Sequence, residues 1–256
     1  IISTRPANPQ DGKILTMEET ILSRELSPAN LWASWENPEE VLMHKDGKWQ
    51  TFDISSGTYG DYAGKMRPAL QAVTRDRSLY IVYADGTEKL IAESENADIT
   101  YGEFTSRNEF GITDGVFWSP DSTRIAFYRK DESKVTSFPL LDITTRTGSL
   151  KEIKYPMAGM DSENVQLGIY DLESGETVYA DVDDFGYDRY LTNITWSPDA
   201  SKIYIQVLDR SQKHLKLNAY CSETGDCTGT LLTEDNDRYV EPVDPLYFIK
   251  GSADLF

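Results

Sequence analysis

Residues 116–129, VFWSPDSTRIAFYR, contain the pattern that decides the fold: an apolar stretch, the turn Ser119-Pro120-Asp121, and a second apolar stretch. Residues 195–205, TWSPDASKIYI, repeat this pattern nearly residue for residue, and residues 73–82, VTRDRSLYIV, form a weaker copy. Aromatic and β-branched residues favour strands, and Ser, Pro and Asp favour turns. The pattern therefore predicts a strand, a tight turn and a returning strand, used repeatedly.

The spacing of the repeat indicates the fold class. Anchors at residues 35, 73, 118 and 196 give steps of 38, 45 and 78 residues. Two steps match the period of about 40–45 residues of a four-stranded propeller blade. The third step is one blade with an insertion at about 130–188. We predict an all-β chain, a β-propeller of about four blades that belongs to a larger ring. A β-sandwich is the alternative, and residues 246–249 begin a fifth unit, which argues against a complete four-bladed ring.

The N-terminal part lacks the repeated strand pattern. Residues 1–28 form a polar lead-in with one short helix predicted near 16–24, because Thr16 and Glu19 fit a capping box. Residues 29–256 are assigned to the partial propeller.

Composition excludes several classes of function. The 256 residues carry a net charge of −18, so nucleic acid and anionic membranes are disfavoured as partners. The sequence has no apolar run of about 18 residues that would predict a membrane span. Two cysteines and two histidines make a zinc site improbable, and no cofactor is predicted. The abrupt ends at Ile1 and Phe256 are those expected of a processed or a cut chain.

Cys221 and Cys227 flank a predicted tight turn, Ser222–Asp226. A disulfide between them would imply an oxidising compartment. Two reduced thiols are an equal alternative, because closing so short a loop contributes little stability.

The sequence lacks the motifs of a self-contained enzyme. It contains no Gly-x-Ser-x-Gly elbow, no phosphate-binding Gly-rich loop and no His-Glu-x-x-His motif. The charged groupings that remain are Arg107-Asn108-Glu109, before the Trp118 strand, and Arg129–Ser133, directly after the strand that follows it. Binding groups on such scaffolds are carried by loops at the mouth of the ring.

Several unusual motifs occur in an order typical of one family. They are Glu109–Ile112, Phe117–Pro120, Ile125–Arg129, Asp131–Ser133, Tyr155–Gly159, Val165–Leu172, Tyr190–Asp199 and Tyr239–Pro242. Over residues 14–251 the chain resembles the N-terminal propeller of bacterial prolyl oligopeptidase-family exopeptidases. Within that family, Asn108–Gly111 is more similar to prolyl tripeptidyl aminopeptidases than to the dipeptidyl peptidase IV branch.

The resemblance implies an eight-bladed propeller stacked on a C-terminal α/β-hydrolase domain that brings the catalytic triad. This chain lacks that domain and is expected to be inactive alone. Glu109 is implied to bind the free α-amino group of a peptide substrate, beside Arg107 and Asn108. Arg129 and Glu132 either brace this loop or form structural ion pairs. The insertion is similar to the family's dimerisation arm, so a homodimer of the full-length protein is expected.

The expected activity is release of Xaa-Pro dipeptides or Xaa-Xaa-Pro tripeptides from peptide amino termini. The single Glu109, in place of adjacent glutamates, and the lack of arginine in residues 43–49 favour tripeptides. The expected location is periplasmic or secreted. A stand-alone protein-binding propeller without catalysis is the alternative function.

Overall fold

The computed structural model describes residues 32–37, 40–45, 48–62, 70–83 and 85–248. It separates into two units, Ile1–Met66 and Arg67–Phe256. The predicted helix near 16–24 lies outside the described residues. In the part of the chain that is described, no helix is long and apolar enough to cross a membrane.

The first unit contains one antiparallel sheet with the strand order β1-β2-β3-β4. Its strands are β1 (Trp32–Asn37), β2 (Glu40–Lys45), β3 (Lys48–Asp53) and β4 (Thr58–Asp61). Lys45 pairs with Lys48, so a two-residue connection joins β2 to β3, as the Asp-Gly pair predicts. We call this sheet blade 1.

The second unit contains three further sheets that correspond to the predicted repeats, and a separate hairpin. Blade 2 is β5 (Gln71–Arg75), β6 (Ser78–Val82) and β7 (Glu88–Ala92). Blade 3 is β8 (Ile99–Tyr101), β9 (Val116–Trp118), β10 (Arg124–Asp131), β13 (Asn164–Asp171) and β14 (Thr177–Tyr179). Blade 4 is β15 (Arg189–Trp196), β16 (Lys202–Asp209), β17 (His214–Cys221) and β18 (Cys227–Asp235). The hairpin is β11 (Ser137–Asp142) and β12 (Ser149–Lys154).

The core lies between neighbouring blades, as a repeat of small sheets requires. One apolar cluster joins blades 2 and 3 and includes Leu79, Ile99 and Phe127. A larger cluster joins blades 3 and 4, and polar contacts reinforce it. The buried Tyr128 hydroxyl donates to the carbonyl of Leu191 at 2.7 Å. An all-β propeller with blades at the predicted repeats is confirmed.

The Ser-Pro-Asp turn explains why the repeat is visible in the sequence. In blade 4, the Ser197 hydroxyl donates to Asp199 at 2.6 Å and accepts from the Lys202 amide at 2.9 Å. Blade 3 has the same pair of hydrogen bonds around Ser119, at the same distances. Each turn joins the first strand of its blade to the second. The hydrogen-bonding groups of the turn therefore find their partners within the turn itself.

This turn gives a pH-dependent prediction. Hydrogen bonds from Ser197 and from Ser201 lower the pKa of Asp199 to about 2. The ionised carboxylate therefore stabilises the folded state fully above the ordinary carboxyl value near 4, and this stabilisation is lost as the pH falls toward 2. We expect Asp199→Ala to be less stable than wild type in urea at neutral pH, with a difference that shrinks between about pH 5 and about pH 2.5. The exposed Asp237→Ala is the control, and a constant Asp199→Ala difference would contradict the assignment.

The insertion is smaller than its predicted bounds of 130–188. The sequence places the β13–β14 hairpin inside the insertion, but β13 pairs with β10 along its whole length and β14 pairs with β13. Both are therefore blade strands. The added segment between β10 and β13 holds the β11–β12 hairpin, which forms its own sheet.

Of the two alternatives for Cys221 and Cys227, a disulfide or two reduced thiols, the structure agrees with the second, because both cysteines are free. Cys227 pairs in register with Tyr220, the residue before Cys221. Successive strand residues point to opposite faces, so Cys221 and Cys227 lie on opposite faces of the hairpin. This register excludes the bond, because a disulfide requires the two Cβ atoms to face each other.

Candidate functional site

The candidate site begins with an interruption in the first strand of blade 3. In blade 4 the first strand is the single strand β15. It pairs with β16 along its length apart from one irregularity after Thr192. In blade 3 the first strand is divided between β9, opposite Ile125–Phe127, and β8, opposite Arg129–Asp131. Residues 102–115 leave the sheet between these two short strands. All nine residues of β18, at the other edge of blade 4, are exposed. The excursion of blade 3 likewise arises at the edge of its sheet that lies opposite β14.

The two ends of the excursion are fixed to one residue of β10. The Gly102 amide donates to the Tyr128 carbonyl at 2.9 Å, and the Tyr128 amide donates to the Gly115 carbonyl at 3.0 Å. A Cβ on Gly115 would lie 2.2 Å from the carbonyl carbon of Glu103. Only glycine therefore fits at position 115, where the two ends of the excursion run side by side. The base of the excursion is therefore closed and defined by the backbone.

The tip of the excursion is a compact loop, Ser106–Gly111, which we call the Glu109 loop. Its residues Ser106, Arg107, Asn108 and Phe110 have φ values of 52°, 53°, 64° and 54°. The left-handed region costs a residue other than glycine roughly 1 kcal/mol or more, so four such residues persist only where surrounding contacts impose them. Glu109 itself has an ordinary φ of −69°.

Aromatic contacts hold both sides of the Glu109 loop. The Phe110 ring packs on Tyr190 of β15 with centroids 4.8 Å apart. The Arg107 guanidinium lies over the ring of Tyr155, 3.8 Å from its centroid. These contacts fix the residues on either side of Glu109 and direct them toward blade 4 and the segment after β12.

Glu109 is exposed and lines an open groove of about 450 Å³ with Phe110, Gln212, Tyr239 and Glu241. Among the residues that the structure describes, none donates a hydrogen bond to the Glu109 carboxylate or forms an ion pair with it. The groove thus combines two carboxylates with two aromatic side chains. This arrangement favours a cation, because carboxylates and ring faces both attract positive charge.

Tyr190, on which Phe110 packs, belongs to a partly buried polar cluster with Arg210 and Ser162. Burial raises the pKa of Tyr190, while Arg210 opposes the shift and the charge of Glu109 adds to it. Arg210 donates to the Tyr190 hydroxyl at 2.9 Å and to the Ser162 hydroxyl at 2.7 Å. Arg210 therefore supports the ring that Phe110 packs on.

The structure separates the two predicted charged groupings. Arg107, Asn108 and Glu109 are exposed together in the loop. Arg129 instead pairs with Glu95 at 3.2 Å and also donates to the Tyr101 hydroxyl. These partners lie outside the Glu109 loop and agree with the ion-pair interpretation of Arg129.

Glu132 reaches the excursion only indirectly. Its carboxylate lies 3.9 Å from Lys130, and Lys130 pairs with Glu103 at the base of the excursion. Burial raises the pKa of Glu132. Glu132 therefore belongs to a charged cluster beside the loop base.

Three residues that support the Glu109 loop are not predicted as site residues from the sequence: Tyr155, Glu163 and Tyr190. The Ser106 amide donates to Glu163 at 2.8 Å although 57 positions separate the two residues. No local pattern connects positions so far apart, so only the fold shows that they meet.

Residues 68–256 match the family model described as the dipeptidyl peptidase IV N-terminal region. The chain belongs to this family. Among curated relatives of this dipeptidyl peptidase IV region, the dipeptidyl-aminopeptidase B of Aspergillus niger is 27% identical over 95% of the chain and 32% of its own length. A probable dipeptidyl-aminopeptidase B of Phaeosphaeria nodorum is 27% identical over 82% of the chain and 27% of its own length.

Two solved structures share the fold of the chain. A putative dipeptidyl aminopeptidase IV from Bacteroides ovatus is 37% identical, with a TM-score of 0.67 over 86% of the chain and 31% of that protein. Dipeptidyl peptidase 4 of Porphyromonas gingivalis is 22% identical, with a TM-score of 0.64 over 86% of the chain and 33% of that protein, and supports the fold alone. The dipeptidyl peptidase IV N-terminal region described here thus spans about a third of these relatives.

Proposed function

We propose that this chain is the substrate-gating and amino-terminus-binding part of a dipeptidyl aminopeptidase-like serine exopeptidase, and that Glu109 binds the α-ammonium group of the peptide. The observation that carries the proposal is the exposed Glu109 carboxylate, held on a loop of fixed geometry in a groove with aromatic walls. A carboxylate and an ammonium form short charge-assisted hydrogen bonds. A blocked amino terminus lacks the charge and is discriminated against.

The length of the released peptide follows from the distance between this anchor and the nucleophile. We propose that cleavage follows a proline and that Xaa-Xaa-Pro tripeptides are preferred over Xaa-Pro dipeptides. Asn108 stands beside the single carboxylate of Glu109. One acidic anchor in place of two leaves room for a longer amino-terminal segment.

We also propose that the triad lies in a C-terminal hydrolase domain outside this chain and that the full-length protein is a periplasmic or secreted homodimer. In the β11–β12 hairpin, Leu141, Ile143 and Leu150 are 66%, 78% and 72% exposed. An apolar surface of this kind is typical of a protein interface. It supports the assignment of the hairpin as a dimerisation arm.

The proposed activity is tested with the full-length protein and four chromogenic substrates. These are Xaa-Pro and Xaa-Xaa-Pro p-nitroanilides, each with a free and with an acetylated amino terminus. We expect the free tripeptide substrate to have the highest kcat/KM and both acetylated substrates to react poorly. Comparable kcat/KM values for free and acetylated substrates would overturn the proposed function, and so would hydrolysis by the 256-residue chain alone.

A further inference from the structure

We propose that Glu163 is a positioning residue for the Glu109 loop: by accepting the Ser106 amide, its carboxylate holds the loop in the conformation that presents Glu109. The inference rests on the proposed function for its catalytic consequence. We call the hydrogen bond from the Ser106 amide to the Glu163 carboxylate the clamp. Its effect on the conformation of the loop does not depend on the proposed function.

The hydrogen bond lies where the loop leaves ordinary backbone conformation. Thr105 is extended, with φ of −120°, and Ser106 is the first residue in the left-handed region. The Ser106 amide donates to the Glu163 carboxylate at 2.8 Å. A backbone amide bonded to a charged acceptor is among the stronger hydrogen bonds in proteins. This bond therefore fixes the point at which the strained conformation begins.

Glu163 is itself held in place by its neighbours in the chain. Ser162, which is 7% exposed, accepts a hydrogen bond from Arg210 at 2.7 Å. The following residue, Asn164, begins β13 and pairs with Asp131. Glu163 thus lies between a partly buried hydrogen bond to blade 4 and the start of a central strand of blade 3. Because the backbone of Glu163 is fixed on both sides, its carboxylate determines the position of the Ser106 amide.

The other contacts of the loop do not replace this one. Phe110 on Tyr190 and Arg107 over Tyr155 fix side chains on each side of Glu109. The remaining backbone hydrogen bonds of this segment are local, from Asn108 to Thr105 and from Ile112 to Glu109. Among the described residues, Glu163 is the side chain that binds the loop backbone from a distant part of the sequence.

Three variants separate the clamp from other roles of Glu163. Glu163→Ala removes the acceptor, whereas Glu163→Gln keeps an acceptor oxygen at the same place and should rescue the loop. Glu173→Ala is the matched control, because Glu173 is exposed on the turn between β13 and β14. All three are made in the full-length protein.

The first readout is trypsin cleavage after Arg107, which is exposed in the loop. Cleavage after the exposed Arg238 is the internal reference, and mass spectrometry identifies both sites. We expect Glu163→Ala to raise the relative cleavage rate after Arg107 about tenfold or more, as expected for loss of a hydrogen bond to a charged acceptor. Glu163→Gln and Glu173→Ala should stay near wild type. An unchanged rate in Glu163→Ala would overturn the clamp whatever Glu109 does.

The second readout is the ratio of kcat/KM for free and acetylated substrates. We expect Glu163→Ala to lower this ratio about tenfold, mainly through KM, and Glu163→Gln to restore it. If Glu109→Gln lowers the ratio but Glu163→Ala does not, the positioning role is wrong and the proposed function stands. If Glu109→Gln leaves the ratio unchanged, the proposed function is wrong, and trypsin cleavage still decides the clamp.

Discussion

In the full-length protein, and on the proposed function, Glu109→Gln should lower kcat/KM for substrates with a free amino terminus about 10- to 100-fold, mainly by raising KM. Glutamine keeps the shape of the side chain and its acceptor oxygen but loses the charge that pairs with an ammonium group. The loss should be specific, because an acetylated substrate makes no such pair. Initial rates with the free and the acetylated p-nitroanilide measure both effects.

The control for this variant is Glu173→Gln, which removes one negative charge from an exposed turn of the same blade. Glu173→Gln should leave kcat/KM unchanged for both substrates. It therefore distinguishes a direct contact of Glu109 with the substrate from the general electrostatic attraction of a protein with a net charge of −18. Equal losses on free and acetylated substrates in Glu109→Gln would show that Glu109 acts on the fold or on catalysis in general.

Gly225→Ala should destabilise the chain by roughly 3 kcal/mol or more, among the largest effects of any single methyl group in this protein. Gly225 has φ of +81°, and a Cβ there would lie 2.1 Å from the carbonyl oxygen of Tyr179 in blade 3. The Gly225 carbonyl also accepts from the Asp181 amide at 2.8 Å. The new methyl group would therefore separate two backbones that are in contact between blades 3 and 4.

Gly175→Ala is the matched control. Gly175 occupies the equivalent turn of blade 3, has φ of +75°, and its Cβ would meet no atom closer than 3.6 Å. Gly175→Ala should lower the free energy of unfolding by about 1 kcal/mol, because only the backbone conformation is unfavourable for alanine. Urea unfolding followed by tryptophan fluorescence measures both variants. Equal losses for the two variants would contradict this packing between blades 3 and 4, because only at Gly225 would the new methyl group overlap the backbone of the neighbouring blade.

The fold could be predicted because the interactions that define each blade are local. Ser119 bonds to Asp121 and to the Arg124 amide, so the whole turn is encoded within six residues and recurs around Ser197. The insertion bounds were wrong for a related reason. The β13–β14 hairpin has an ordinary turn of its own, and only its pairing with β10, across the β11–β12 hairpin, assigns it to the blade.

The candidate site could be predicted only in part. Glu109 is found from the motif that surrounds it, and the structure places its carboxylate in a groove. Its supports come from distant positions: Tyr155 and Glu163 lie after the added hairpin, and Tyr190 lies in the next blade. The register that separates Cys221 from Cys227 is likewise set by how β17 pairs with β18. Sequence patterns record local hydrogen bonds and strand periodicity but not contacts across the fold.

A crystal structure of the full-length protein with a bound, uncleaved Xaa-Xaa-Pro peptide analogue would show directly whether Glu109 binds the peptide's amino terminus. The quantity to measure is the distance from the peptide's amino nitrogen to the carboxylate oxygens of Glu109. We expect a charge-assisted hydrogen bond of about 2.7–2.9 Å between these atoms, with the Ser106 amide still bonded to Glu163. An amino nitrogen paired with a different carboxylate, with Glu109 left in solvent, would contradict this expectation.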